Sequence, residues 1–171
     1  MSEVTHQQVR KTALRLLTGR EYSPYQLMEK LLVKFFATDI VLGVIKELNQ
    51  QNLVNEERFI EAYIHSRRER GYGPRKIAQE LHFKHRINKE NVQAGLELHH
   101  PIWVESGVRL LRKRFKTTPP FSDAVSQRLW QTTEYRFLNN HGFPSELIEK
   151  IFTQYVLECK NDEKLNNTTN S

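Results

Sequence analysis

Residues 66–81 read Ser66-Arg67-Arg68-Glu69-Arg70-Gly71-Tyr72-Gly73-Pro74-Arg75-Lys76-Ile77-Ala78-Gln79-Glu80-Leu81. The first five residues look like the basic end of a helix that starts at Asn55-Glu56-Glu57-Arg58-Phe59. Acids near the start and arginines near the end both complement the helix dipole. Gly71 can adopt the left-handed conformation that ends a helix, and Pro74 suits the first position of the next. The same design stands 50 residues earlier: Ser23-Pro24-xx-Leu27-xxx-Leu31-xx-Lys34 matches Gly73-Pro74-xx-Ile77-xxx-Leu81-xx-Lys84. A third version, Phe137-Leu138-Asn139-Asn140-His141-Gly142-Phe143-Pro144-Ser145, repeats the helix end and turn. Repeats of this size predict stacked helical units, each a poor core alone.

Apolar spacing agrees. Val9, Ala13, Leu16 and Leu17 share a helical face, as do Leu27, Met28, Leu31, Leu32 and Phe35, then Val41, Val44, Ile45 and Leu48. Phe59, Ala62, Tyr63 and Ser66 are expected to form one face of the next helix, and Leu129, Trp130 and Phe137 to face a core, with Trp103 and Trp130 as its anchors. Ser23 with Gln26 predicts a capping box, and Thr38-Asp39 a further cap. No stretch alternates with a period of two, so the fold class is all-α. We expect nine helices in three tandem three-helix repeats, at 1–54, 55–100 and 101–159. The expected array is elongated and curved, with a disordered polar tail at 160–171.

The chain has 171 residues and a net charge of +6. Residues 1–60 carry 8 basic and 7 acidic side chains, residues 61–120 carry 13 and 6, and residues 121–171 carry 5 and 7. The whole excess lies in the middle third, which points to nucleic acid or an acidic partner. No apolar run is long enough for a membrane span, and the start Met1-Ser2-Glu3-Val4-Thr5-His6 lacks a secretory pattern. The single cysteine, Cys159, forbids an internal disulfide and fits a reducing cytoplasm.

The candidate contact residues are two basic clusters. The first comprises Arg67, Arg68, Arg70, Arg75 and Lys76 around Tyr72, with Lys84 and Arg86 one helix later. The second is Arg109, Arg112, Lys113 and Lys116, whose spacing places them on one helix face beside Arg114. Guanidinium groups form bidentate bonds with phosphate or carboxylate. Tyr72 has two readings: a ring offered to a base or a partner's pocket, or a ring packed over the turn it closes. Glu56 and Glu57 read as helix-dipole acids, not a catalytic pair. His82 with His85, and His99 with His100, lack a zinc-type ligand set, so neither metal nor cofactor is expected. No phosphate loop, nucleophile elbow or Cys–His arrangement occurs, which speaks against an enzyme.

These residues resemble the RecX family, the bacterial regulators of the RecA recombinase. The resemblance rests on Ala13-Leu14-x-Leu16-Leu17, Arg20-Glu21-Tyr22-Ser23 with Leu27 and Lys30-Leu31, Glu57-Arg58-Phe59, Ser66-Arg67, Gly71-Tyr72-Gly73-Pro74, Ile77 and Glu80-Leu81. Arg136-Phe137-Leu138, Gly142-Phe143 and Ile148 resemble the closing repeat, so roughly residues 8–157 are covered. Two departures stand out. Val54-Asn55 replaces an acidic pair, and Lys84-His85-Arg86-Ile87 stands where the family tends to have Lys-Gly-Ile.

The resemblance implies three three-helix repeats lodged in the groove of a RecA filament on single-stranded DNA. It implies a non-enzymatic role in homologous recombination, DNA repair and the SOS response, mainly inhibiting ATP hydrolysis, strand exchange and filament stability. A cytoplasmic monomer with weak direct DNA binding is expected, and no membrane partner. The alternative is a direct DNA-binding protein with helix-turn-helix-like units.

Overall fold

The computed structural model describes residues 5–35, 37–115 and 123–169, excepting the side chains of residue 98 and residues 163–169. All regular structure among these residues is helical. The helices are α1 (His6–Leu17), α2 (Pro24–Phe35), α3 (Thr38–Gln50), α4 (Glu56–Glu69), α5 (Pro74–Gln79), α6 (Lys89–Leu98), α7 (Trp103–Arg114), α8 (Ala124–Asn140) and α9 (Ser145–Thr169). A π-helical turn, Glu80–Lys84, continues α5, and a 3-10 turn, His100–Ile102, precedes α7. The consecutive sets α1–α3, α4–α6 and α7–α9 are three-helix repeats.

The chain divides into two compact units: Met1–His65 with Glu80–Gly95, and Ser66–Gln79 with Leu96–Ser171. In the first, Val9 and Ala13 of α1, Leu27 and Leu31 of α2, and Val41, Val44, Ile45 and Leu48 of α3 form a buried cluster with Val54. Leu16 and Leu17 pack against its margin. The buried face of α4 here is Phe59, Ile60 and Ile64, whereas Ala62 and Ser66 are exposed. The isoleucines displace the expected face because they bury more apolar area. On α6, a Cβ at Gly95 would meet Ile60 Cγ2 at 2.5 Å, so that glycine permits close helix contact.

Local signals set the helix starts, with corrections. Thr5 and Gln8 form a complete capping box on α1. Ser23 Oγ accepts from the Gln26 N–H at 3.1 Å, but Gln26 Oε1 is buried without a partner, so the second half of that expected box is not made. Thr38 lies inside α3; the cap residue is Ala37, which offers no side-chain bond, and Asp39 serves as a first-turn acid instead. Asn55 Oδ1 accepts from the Arg58 N–H at 2.9 Å.

In the second unit, α7 packs on α9, with Gly107 against Ile151. Trp103, Val108, Leu111, Leu138, Phe143, Leu147, Ile148, Ile151 and Tyr155 are buried. Trp130 is buried too, stacked with Tyr155 at 5.9 Å between centroids. Leu129, expected in a core, is 69% exposed, because α8 turns Trp130, Glu134 and Leu138 inward. α9 runs on to Thr169, so the residues from Lys160 that read as an irregular tail are helical that far. Arg112 bonds Asp162 at 3.2 Å, which ties down the first part of that extension.

The repeat register holds in the folded chain. Leu27 and Leu31, Ile77 and Leu81, and Leu147 and Ile151 are all buried, each pair three and seven residues after a proline. Three helices end alike. Leu53 N–H reaches Leu48 O, Tyr72 N–H reaches Arg67 O and Phe143 N–H reaches Leu138 O, all at 2.9–3.1 Å. The residue before each donor has a positive φ: Asn52 (55°), Gly71 (85°) and Gly142 (91°). These are Schellman ends. A further positive φ, 57°, falls on Arg86, after the π turn, and Ile87 N–H reaches one residue further, to Leu81 O.

Candidate functional site

In the second unit the Gly71–Pro74 turn is clasped by the turn at 141–144. Gly73 N–H donates to His141 O at 2.7 Å and Arg75 N–H to Gly142 O at 3.0 Å. A Cβ at Gly73 would lie 2.5–2.6 Å from backbone atoms of Gly142 and Phe143, so no side chain fits. Arg75 adds two bonds of 2.9 Å, to Asn139 O and Asn139 Oδ1, which satisfy the end of α8. Half-buried Tyr72 stacks on His141, and the Arg67 guanidinium and Lys76 ammonium lie 4.4 and 4.6 Å from its ring centre. The ring packs within this turn, and three of the predicted contact residues, Arg67, Arg75 and Lys76, make contacts at this junction.

A second grouping lies beside it. Arg68 and Arg70 at the end of α4 and Arg109 and Lys113 on α7 line one cleft, together with Glu69, Gly71, Ser106 and Leu110. Arg109 bonds Glu69 at 2.8 Å, whereas among the described residues Arg70 and Lys113 form no ion pair. The structure thus brings members of both clusters to one cleft. Arg112 leaves the group: it pairs with Glu158 at 2.9 Å and Asp162 at 3.2 Å. Burial works against its charge, but the two carboxylates overcome that and hold its pKa above the ordinary value. Lys116 lies outside the described residues.

Arg114 has a structural role. It pairs with Glu134 at 3.2 Å and lies 4.2 Å from the Phe137 ring centre. Glu134 is 2% exposed, and burial raises its pKa against the opposing pull of Arg114. Burial, then the neighbouring Cys159, pushes Tyr155 up to about 12.

In the first unit, Lys84 and Arg86 are exposed at the end of the π turn, with the Arg86 guanidinium 5.9 Å from the Tyr25 ring centre. His82 Nδ1 lies 2.9 Å from Ile87 O. His85 is 2% exposed, between Phe59 at 5.0 Å and Tyr63 at 4.7 Å. The two histidines serve turn and core, and among the described residues no three metal-type ligands gather. The sequence reading missed Phe83, which is 68% exposed. Its position two residues from both Leu81 and His85 puts it opposite the buried face. Glu56 bonds Asn91 at 2.8 Å, a structural use of a first-turn acid. No helix among the described residues is long and apolar enough to cross a membrane.

Comparisons with known proteins agree with this fold. The family described as RecX, second three-helix domain, matches residues 55–96. A protein of Legionella pneumophila (strain Corby) named regulatory protein RecX is 38% identical over 143 residues, covering 84% of this chain and 91% of its own. One of the same name from Mannheimia succiniciproducens is 33% identical over 135 residues, covering 78% and 85%. A crystal structure of RecX from Lactobacillus salivarius superposes with a TM-score of 0.74 at 23% identity, covering 89% of this chain and 97% of that one.

Proposed function

This chain belongs to the RecX family of regulatory proteins, and from that premise we propose that it is a non-enzymatic regulator of the RecA recombinase. In this reading it binds in the groove of the RecA filament on single-stranded DNA, in the cytoplasm, as a monomer. It lowers ATP hydrolysis and strand exchange and favours filament disassembly, within DNA repair and the SOS response.

The observation that supports this most is the cleft of Arg68, Arg70, Arg109 and Lys113, with Glu69 as its lining acid. Arg70 and Lys113 there form no ion pair among the described residues, so the surface suits an acidic protein groove or phosphates and would speed encounter at low salt. Arg70 and Lys113 carry the contact in this proposal, while Arg67, Arg75, Lys76 and Arg112 shape and hold the surface.

The test compares two titrations. Purified protein should suppress the DNA-dependent ATPase of RecA at concentrations below those that saturate bare DNA, and an Arg70→Glu/Lys113→Glu variant should need at least about tenfold more protein. Inhibition that appears only once the DNA is coated would replace this reading with simple competition for DNA.

A further inference from the structure

The basic residues of the chain differ in how far the fold uses them. In the second unit, Arg67 and Lys76 lie against Tyr72, Arg75 bonds Asn139, Arg109 bonds Glu69, and Arg112 bonds Glu158 and Asp162. Residues 81–89 of the first unit, Leu81-His82-Phe83-Lys84-His85-Arg86-Ile87-Asn88-Lys89, contain no acid. Lys84, Arg86 and Lys89 are exposed, and among the described residues none of them forms an ion pair; Arg86 has only the Tyr25 ring, 5.9 Å away, beside it. The nearest preceding acid, Glu80, is engaged by the Tyr63 hydroxyl at 2.9 Å.

Within this acid-free stretch stands Phe83, with 68% of its surface in water and the His82 ring edge-on at 4.9 Å. An aromatic ring this exposed forgoes the burial that normally places phenylalanine inside. The backbone beside it is unusual as well. The five-residue π turn carries Phe83, and Arg86 follows at φ 57°, a conformation that costs a non-glycine residue free energy. At the other Schellman-like ends that position is Asn52, Gly71 or Gly142. Among the described residues, only here does a long cation take it.

The surroundings identify the class of ligand. A partner helix docks through several apolar anchors spaced three and four residues apart. The residues at those spacings from Phe83 are Gln79, Glu80, Arg86 and Ile87, of which only Ile87 is apolar, and it is buried. One exposed ring in an acid-free stretch that carries Lys84, Arg86 and Lys89 fits a single unstacked base with its flanking phosphates, whereas duplex bases have no free face to offer. We propose that Phe83, Lys84 and Arg86 form a base-stacking site for single-stranded nucleic acid, with Lys89 adding to its positive field. The site does not depend on the filament reading, because it acts on the bare strand.

The experiment measures binding of the full chain to a labelled single-stranded oligodeoxynucleotide and to its duplex, without RecA. Phe83→Ala should weaken single-strand binding by about tenfold while Phe83→Tyr retains it, because stacking on either ring is comparable. Duplex binding should be unchanged, and circular dichroism of the variants should overlay. Lys84→Gln with Arg86→Gln should lower the slope of log affinity against log salt by about 1.4 on single strands. Three results would each overturn the site: no binding of single strands, equal loss by Phe83→Ala on both ligands, or no loss on either. A Phe83→Ala variant that binds single strands normally yet loses inhibition of RecA would assign Phe83 to a protein contact instead. None of these outcomes decides the comparison of ATPase inhibition with DNA binding described above.

Discussion

Two turns in this chain begin from the same sequence idea and are held in different ways. At Tyr22-Ser23-Pro24, Ser23 caps α2 through its hydroxyl, the Arg20 guanidinium lies 4.3 Å from the Tyr22 ring centre, and Arg58 bonds Glu21 at 3.0 Å. Arg58 also reaches the carbonyl of Asn52 at 3.0 Å. At Tyr72-Gly73-Pro74 the cation over the ring is kept, as Arg67, but the lock is backbone against backbone with the turn at 141–144. The first turn is therefore held by side chains that can be exchanged singly. The second closes backbone on backbone where Gly73 has no side chain, with Arg67, Arg75 and Lys76 packed around it. A copied turn can thus retain its helix-starting role and its cation over the ring while the main lock changes.

The sharpest way to break this comparison is to exchange the two central residues. Gly73→Ser places a Cβ against the backbone of Gly142 and Phe143, which neither atom group can vacate, and should cost about 3 kcal/mol or more in chemical denaturation. Ser23→Gly loses one cap bond, and helix-cap replacements by glycine cost only a few tenths of a kcal/mol, so it should stay close to that. Equal costs would show that the two turns are locked alike. A smaller effect belongs to the side-chain lock. Arg58→Met should cost about 1–2 kcal/mol, since it removes bonds to both a carboxylate and a carbonyl. Its coupling to Glu21→Gln in a double-mutant cycle should be about 0.5 kcal/mol, because both partners are partly in water.

The smallest expected effect contrasts two carboxylates. Glu47 of the first unit is held below its ordinary pKa, first by the hydrogen bond from Arg10. Glu134 of the second is held above it by burial. A carboxyl with a raised folded pKa binds its proton more tightly when folded, so its contribution to stability is present below the ordinary value of 4.5 and declines as pH rises through the raised one. Denaturation of wild type and Glu134→Gln across that window should show the variant gaining relative stability with pH, by less than about 1.4 kcal/mol per pH unit. A relative gain in the opposite direction would mean that Arg114 outweighs burial.

Much of this was legible in the chain. The prolines at 24, 74 and 144 start or immediately precede helices, Gly71 and Gly142 take the left-handed conformation, and the residues three and seven places after each proline are buried. These are local matters, decided by φ preference and helical period. The buried face of α4 was misread because Tyr63 and Ser66 fit the period as well as Ile60 and Ile64 do, and only the neighbour packed against them chooses. Leu129 fails for the same reason, since Trp130 one residue on takes the core. The basic residues were found as a set, but their division into junction and free surface was not visible. That division depends on Glu69, Asn139, Glu158 and Asp162, up to 64 residues away in sequence.

By itself the sequence determined that this protein is all-helical, built of related three-helix repeats with its excess charge in the middle third, and of the RecX family. Those properties follow from periodicity, turn chemistry and motif order, which are written along the chain. Only the tertiary structure decided which cations are consumed by ion pairs and rings, why Gly73 admits no side chain, and that Phe83 stands in solvent beside Lys84 and Arg86. Each of those depends on which distant group comes within a few ångströms, and no local propensity encodes that distance.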